Sequence, residues 1–307
     1  MVATAKSGAL VSGLQQGDFT LLDNKAPQTI ASFRAVDGRK EPIEIVLVVD
    51  AVNTPYETVT YERGEIDRFL RDEGGHLAHP TSLAIFTDDG VRMQEGFSVE
   101  GNALGTSLDQ SVIGLRDIRR SSGFYGAAER FELSLKALRE LIAHESPRAG
   151  RKIILWVSPG WPLLSGPNVQ IAEKERQELY TDIVSLSTQL QQARITVYSV
   201  DPLGATAGMA RTFYWEAFVK GISKPSQVQA ADLALQVLAT QNGGEALNSS
   251  NDIAALLRKC VADTGAYYEI SFYPAIGDQS HEYHHLEIHV AKPGVTARSR
   301  QGYYSRP

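Results

Sequence analysis

The sequence predicts an α/β fold: a doubly wound, Rossmann-like and mostly parallel sheet with an antiparallel edge hairpin, plus a small β-rich accessory unit from both termini. Three observations carry this reading. Short apolar runs rich in β-branched residues recur at 45–49, 153–157 and 195–200, as strands buried on both faces require. They alternate with stretches of helical periodicity, the pattern of a parallel sheet with helices on both faces. Asp88-Asp89-Gly90 follows the apolar run at 81–87 and signals a hairpin with an antiparallel return over 91–98.

The elements follow in order. Residues 19–22 and 29–33 read as short strands separated by the turn formers Asp23, Asn24 and Lys25. Ile43–Asp50 is the first central strand. A helix is expected over 56–73, with Val59, Ile66, Phe69 and Leu70 on one face. Phe131, Leu135, Leu138 and Ile142 recur four, three and four apart and mark the next helix. The strand at 152–157 ends in Ser158-Pro159-Gly160. A helix over 171–193 carries Ile183, Leu186 and Leu190, and the strand at 195–200 ends at Asp201-Pro202. Residues 203–228 read as an insertion with a short helix around 213–219. Helical spacing resumes at 230–239. A further helix over 251–264 has Asn251 as its expected N-cap, Gly265 as its stop and Cys260 on its apolar face. Strands at 267–273 and 283–290 close the chain. The expected division is a core over 41–266, with 1–40 and 267–307 joining as one accessory unit, because neither flank alone has enough strands to be stable.

The whole chain bounds the function. It has 307 residues, 43% hydrophobic and 21% charged, with a formal charge of −6. No basic patch marks a nucleic-acid surface, and no apolar run approaches the ~18 residues of a membrane span. The single cysteine excludes an intrachain disulfide. The first residues lack a secretory h-region, which is read as a processed or trimmed start.

Ligands of such sheets bind outside the carboxyl ends of the strands. That places Asp50, Ser158 and Asp201 on one rim, with Asp88 near it. No Gly-x-Gly-x-x-Gly follows the first strand, so dinucleotide binding has no support. A serine-hydrolase elbow fails at Ser158, because Pro159 has no N–H for an oxyanion hole. A haloacid-dehalogenase-like phosphatase needs a second aspartate two residues after Asp50, and Val52 stands there. The histidines at 281, 284, 285 and 289 do not converge: strand alternation sets His285 and His289 ~13 Å apart.

The chain resembles the von Willebrand factor A domain, and more narrowly the bacterial, acidobacterial-type VWFA-related family. Val11-Ser12-Gly13-Leu14 with Asp18-Phe19, Gln28 and Phe33 is similar to that family's lead-in. Leu47-Val48-Val49-Asp50-Ala51-Val52-Asn53-Thr54 resembles its first strand and loop. Tyr267-Tyr268, Phe272-Tyr273-Pro274, His285, Lys292-Pro293-Gly294 and Gly302-Tyr303-Tyr304 are similar to its C-terminal signature. The resemblance implies a secreted or cell-envelope setting and a metal-ion-dependent adhesion site for Mg²⁺ or Mn²⁺, built on Asp-x-Ser-x-Ser, a threonine and a second aspartate. Here Asp50 and Thr54 match, Ser121 and Ser122 stand near the threonine position, and Val52 and Pro159 replace two ligands. The expectation is therefore a non-catalytic, adhesion-type module that binds a protein or other macromolecule through a degenerate site and requires no cofactor. The expected contact surface is Asn53, Ser158, Trp161, Leu163, Asp201, Tyr214 and Trp215, large aromatics on rim loops being favoured interface anchors. The alternative is metal-dependent binding at a site rebuilt around Asp50.

Overall fold

The computed structural model describes residues 1–111, 123–162, 164, 171–203, 215–274 and 281–305. Ser121, Ser122, Leu163 and Tyr214 lie outside the described residues. The N-terminal flank contributes β1 (Val2–Ala5), β2 (Phe19–Asp23), β3 (Ala26–Gln28) and β4 (Ser32–Asp37). The central region runs β5 (Ile43–Asp50), α1 (Tyr56–Leu70), β6 (His76–Thr87), β7 (Gly90–Met93), β8 (Ser98–Glu100), α2 (Gly101–Gln110) and α3 (Phe124–Glu145). It continues through β9 (Arg151–Val157), α4 (Glu173–Gln192), β10 (Ile195–Val200), α5 (Leu235–Gln241), β11 (Ala246–Leu247) and α6 (Ile253–Ala262). The C-terminal flank adds β12 (Ala266–Ser271), β13 (Tyr283–Val290), β14 (Val295–Arg298) and β15 (Gly302–Tyr304).

The central sheet has the order β11-β10-β9-β5-β6-β7, with β8 also on β6. The first five strands are mutually parallel, and β7 and β8 run antiparallel. This is the α/β, doubly wound, mostly parallel sheet with an antiparallel edge. Alternation along the strands divides the core. Val46, Val48, Ile154, Trp156 and Val197 face α3 and α4, while Ile45, Leu47, Val49, Ile153 and Leu155 face α1, α2 and α6. The chain leaves β5 to one side for β6 and returns on the other side as β9. A topological switch point therefore lies between β5 and β9, where such sheets open a crevice.

The two ends of the chain pair with each other. β1 pairs with β14, β4 with β12, and β15-β13-β2-β3 form a four-stranded sheet. A buried polar knot ties this sheet: Asp23 accepts from His284 Nδ1 at 2.9 Å and from the Tyr303 hydroxyl at 2.6 Å. His285 and His289 flank Glu287 on the other face, at 3.8 and 3.5 Å. Val2, Val36 and Tyr267 belong to one central core and Tyr304 to the other, so the flanks share the interior of the main sheet.

One local expectation is corrected, one falls partly outside the described residues, and one helix is new. The helix at 253–262 is capped by Asp252, whose side chain accepts from the Ala255 amide at 2.8 Å, rather than by Asn251. Of the short helix expected around 213–219, residues 213 and 214 lie outside the described residues, Trp215 is helical and Glu216–Phe218 forms a 3-10 turn. Helix α2 was not expected; within Gly101–Gln110 only Leu104 and Leu108 make an apolar face.

Candidate functional site

Strand β5 delivers Asp50 to the switch point. The strand is buried on both faces, and the Ala51 amide still bonds Phe86 O at 3.0 Å before the chain turns away. The Asp50 side chain is fully buried and folds back on its own loop. Its Oδ1 accepts the amides of Val52 at 3.0 Å and Asn53 at 2.8 Å. Its Oδ2 accepts Asn53 Nδ2 at 2.9 Å, Trp156 Nε1 at 3.1 Å and the Ser158 hydroxyl at 2.8 Å. A carboxylate offers about four lone-pair sites, and five donors converge on this one. Burial raises the Asp50 pKa above its ordinary value, while bonds from Asn53, Ser158 and Trp156 oppose that shift.

The neighbours are committed in turn. Ser158 Oγ donates to Asp50 and accepts from the Gly160 amide at 3.1 Å. Asn53 Nδ2 also reaches Ser134 Oγ on α3 at 3.0 Å. Asp201, at the end of β10, is buried and accepts from the Leu203 amide at 2.8 Å.

A second buried carboxylate, Glu62 on α1, stands beside this loop. It is fully inaccessible; neither oxygen makes a hydrogen bond of full geometry, although the Thr54 hydroxyl and the Asp50 backbone stand close enough to favour its charged form. Burial pushes its pKa well up, and the negative field of Asp50 adds to the rise, followed by that of Asp201. The nearby Thr54 hydroxyl and Asp50 backbone pull the other way. Thr54 Oγ1 and Asn53 Oδ1 are likewise buried without partners. Two loop side chains, Asn53 and Thr54, and Glu62 beside them thus have oxygens without full hydrogen bonds next to Asp50, whose oxygens are fully used. Glu62 was missed in the sequence, although its place three residues after Val59 and four before Ile66 puts it on the buried face of α1.

The adhesion-site motif does not fit here. Val52 is buried in the core on the α3 side, Pro159 offers no carboxylate, and the Asp50 oxygens are taken. Among the described residues no cluster of three or more His, Cys, Asp or Glu is placed to hold a metal.

The expected aromatic surface is also revised. Trp161 is 3% exposed and packs edge-on against Trp156 at 5.3 Å, because the turn at Gly160, with φ of 94°, carries the chain back over the sheet. Trp215 is half-buried. The exposed aromatics at this end are others: Phe124 at 54% and Tyr125 at 79%, in edge contact at 6.1 Å. They open α3, which runs antiparallel to β9, so its first turn projects beyond the carboxyl ends of the strands. Gly123, with φ of 84°, makes that entry turn.

Sheet order, edge strands and switch-point crevice define a doubly wound α/β protein with a buried carboxylate loop at its ligand-binding end. No protein-family model matches the chain, and no curated protein does. Among solved structures it aligns with the manganese-loaded TRAP protein of Plasmodium vivax at 10% identity, over 93% of this chain and 98% of that one, with a TM-score of 0.38. Among the described residues no helix is long and apolar enough to cross a membrane.

Proposed function

We propose that this chain is a non-catalytic recognition module of the von Willebrand factor A-like type, secreted or in the cell envelope, that binds a protein or other macromolecular partner at the Asp50 end of the sheet. The observation that carries this is the exposed Phe124–Tyr125 pair on the first turn of α3, the helix whose Ser134 meets Asn53 of the switch-point loop. Large aromatics held on a rigid helix supply contact area at low entropic cost. The half-buried Asn53 lies at the same end, on the Asp50 loop. The full use of the Asp50 oxygens argues against a nucleophile or a general base there, since either role needs a free lone pair.

The test is site-specific photo-cross-linking from position 125 in cells that carry the protein, with position 273, another exposed tyrosine, as control. One discrete adduct from 125 alone is expected. The purified adduct partner should bind the isolated chain and lose about tenfold in affinity, ~1.4 kcal/mol, for Phe124→Ala. Equal labelling from both positions, or binding indifferent to Phe124→Ala, rejects the reading.

A second reading is favoured by the unpartnered oxygens of Thr54, Asn53 and Glu62. These are hard donors of the kind Mg²⁺ or Mn²⁺ prefers. In this reading Glu62 joins Thr54 in a rebuilt site beside Asp50. A metal that binds only the folded state raises the melting temperature. An unchanged melting temperature in millimolar Mg²⁺, Mn²⁺ or EDTA retires this second reading; a rise that vanishes in Glu62→Gln supports it.

A further inference from the structure

At the opposite end of the sheet lies a cavity of about 600 Å³. It sits between the first residues of β9 and β10 and the strands β12 and β13 of the flanking sheets. Its charged lining is lopsided. Four arginines reach it, Arg151, Arg194, Arg298 and Arg300, against one carboxylate among the described lining residues, Glu269. Glu269 is already held by Arg34, whose Nε and Nη2 donate at 3.0 and 2.8 Å. Arg298 is occupied as well: it pairs with Asp263 and donates to Gly243 O at 2.9 Å.

Arg151, Arg194 and Arg300 are different. Among the described residues none of them has an acidic partner or a side-chain hydrogen bond. Nη1 of Arg151 is buried with no acceptor at all, although the guanidinium stacks on the Tyr267 ring at 4.6 Å. A buried donor left unmade costs about 1–3 kcal/mol, so Arg151 Nη1 leaves an acceptor to be supplied, with Arg300 and the exposed Arg194 adding uncompensated positive charge around it. The local field agrees. Burial lowers the Arg300 guanidinium to about 10, with only the Tyr283 hydroxyl opposing.

The remaining wall is apolar. Ile270, Phe272 and Ile288 are half-buried side chains of the flanking strands that line the space without filling it. A volume of this size falls within the range of small-molecule sites, about 300–1,000 Å³. Guanidinium groups match a carboxylate through paired N–H donors.

We propose that this cavity binds a small amphipathic carboxylate, its anionic head held by Arg151 and Arg300 near the mouth residue Arg194, and its apolar chain laid along Ile270, Phe272 and Ile288. The site is separate from the Asp50 end and does not depend on the reading given to that end.

The test is calorimetric titration of the 307-residue chain with octanoate, octanol and inorganic phosphate. Saturable one-to-one binding of octanoate is expected, with octanol and phosphate each weaker by about tenfold or more. Arg300→Met should weaken octanoate by about tenfold. Arg194→Glu, at an exposed position without a partner, should weaken it by roughly threefold without disturbing the fold. Failure of octanoate to saturate, octanol binding as tightly as octanoate, phosphate alone binding as tightly, or octanoate affinity unchanged in folded Arg194→Glu would each overturn the proposal.

Discussion

Glu62 offers the sharpest test of the buried loop. Its carboxyl is fully buried, unpartnered, and next to Asp50. Its folded pKa lies well above the ordinary value of 4.5, with burial as the leading cause. Folding therefore binds a proton at pH values above 4.5. The corresponding stability is complete below that pH and declines as pH rises toward the folded pKa. The slope for one such group is about 1.4 kcal/mol per pH unit. From pH 4.5 to 7 the loss reaches at most about 3.4 kcal/mol. Glu62→Gln keeps the shape, removes the titration, and places an amide N–H beside the unpartnered Thr54 Oγ1. The assay is urea unfolding of both proteins at pH 5, 6, 7 and 8, followed by tryptophan fluorescence. The stability of Glu62→Gln relative to wild type should climb with pH at up to that slope and then level off. Other titrating groups cancel in the difference. A difference that stays flat across the series would refute the reasoning, because Glu62 would then ionise as easily in the folded chain as in the unfolded one.

Asp50→Ala should destabilise the chain by roughly 3–5 kcal/mol, read as a lower urea midpoint, since it strands five donors at a fully buried site. Asp232 is raised by burial from 3.8 to about 6; its stability contribution is complete below pH 3.8 and lost as pH rises through about 6. Asp232→Asn, which keeps an acceptor for the Gln229 amide, should therefore gain about 3 kcal/mol relative to wild type between pH 4 and 7 in the same urea assay. We also propose that the flanks 1–40 and 267–307 unfold together with 41–266, because Val2, Val36, Tyr267 and Tyr304 sit in the central cores. Calorimetry should show one transition; two resolved transitions would establish a separately stable accessory unit.

The fold was legible where the signal was local and strong. Ile43–Asp50 and Ile195–Val200 are strands at the expected bounds, since an apolar β-branched run has few other stable fates. The Phe131, Leu135, Leu138 and Ile142 stripe is buried in α3 as the spacing requires. Helix α2 was illegible because its sequence holds two glycines and two leucines, and its packing partners, Leu70 and Asp67 of α1, come from another part of the chain. The cap moved from Asn251 to Asp252 because both residue types suit the role. Strand pairings such as Leu286 with Asp23 depend on contacts hundreds of residues apart, which no local pattern encodes.

The site was legible in place and not in chemistry. A strand-end aspartate at a switch point is visible from sequence, but whether its oxygens are free depends on donors from four separate positions. Two of these, Val52 and Asn53, come from its own turn, and Trp156 and Ser158 come from the adjacent strand end. Val52 sinks its side chain into the core. That draws the 52 and 53 amides over the carboxylate. Ser158 donates inward to the same carboxylate. Asp50 is thus the acceptor that holds the loop shut. The remaining unspent oxygens belong to Glu62, Thr54 and Asn53. Among the described residues at this end of the sheet, the open carboxylate is therefore Glu62, which the motif does not contain, rather than Asp50.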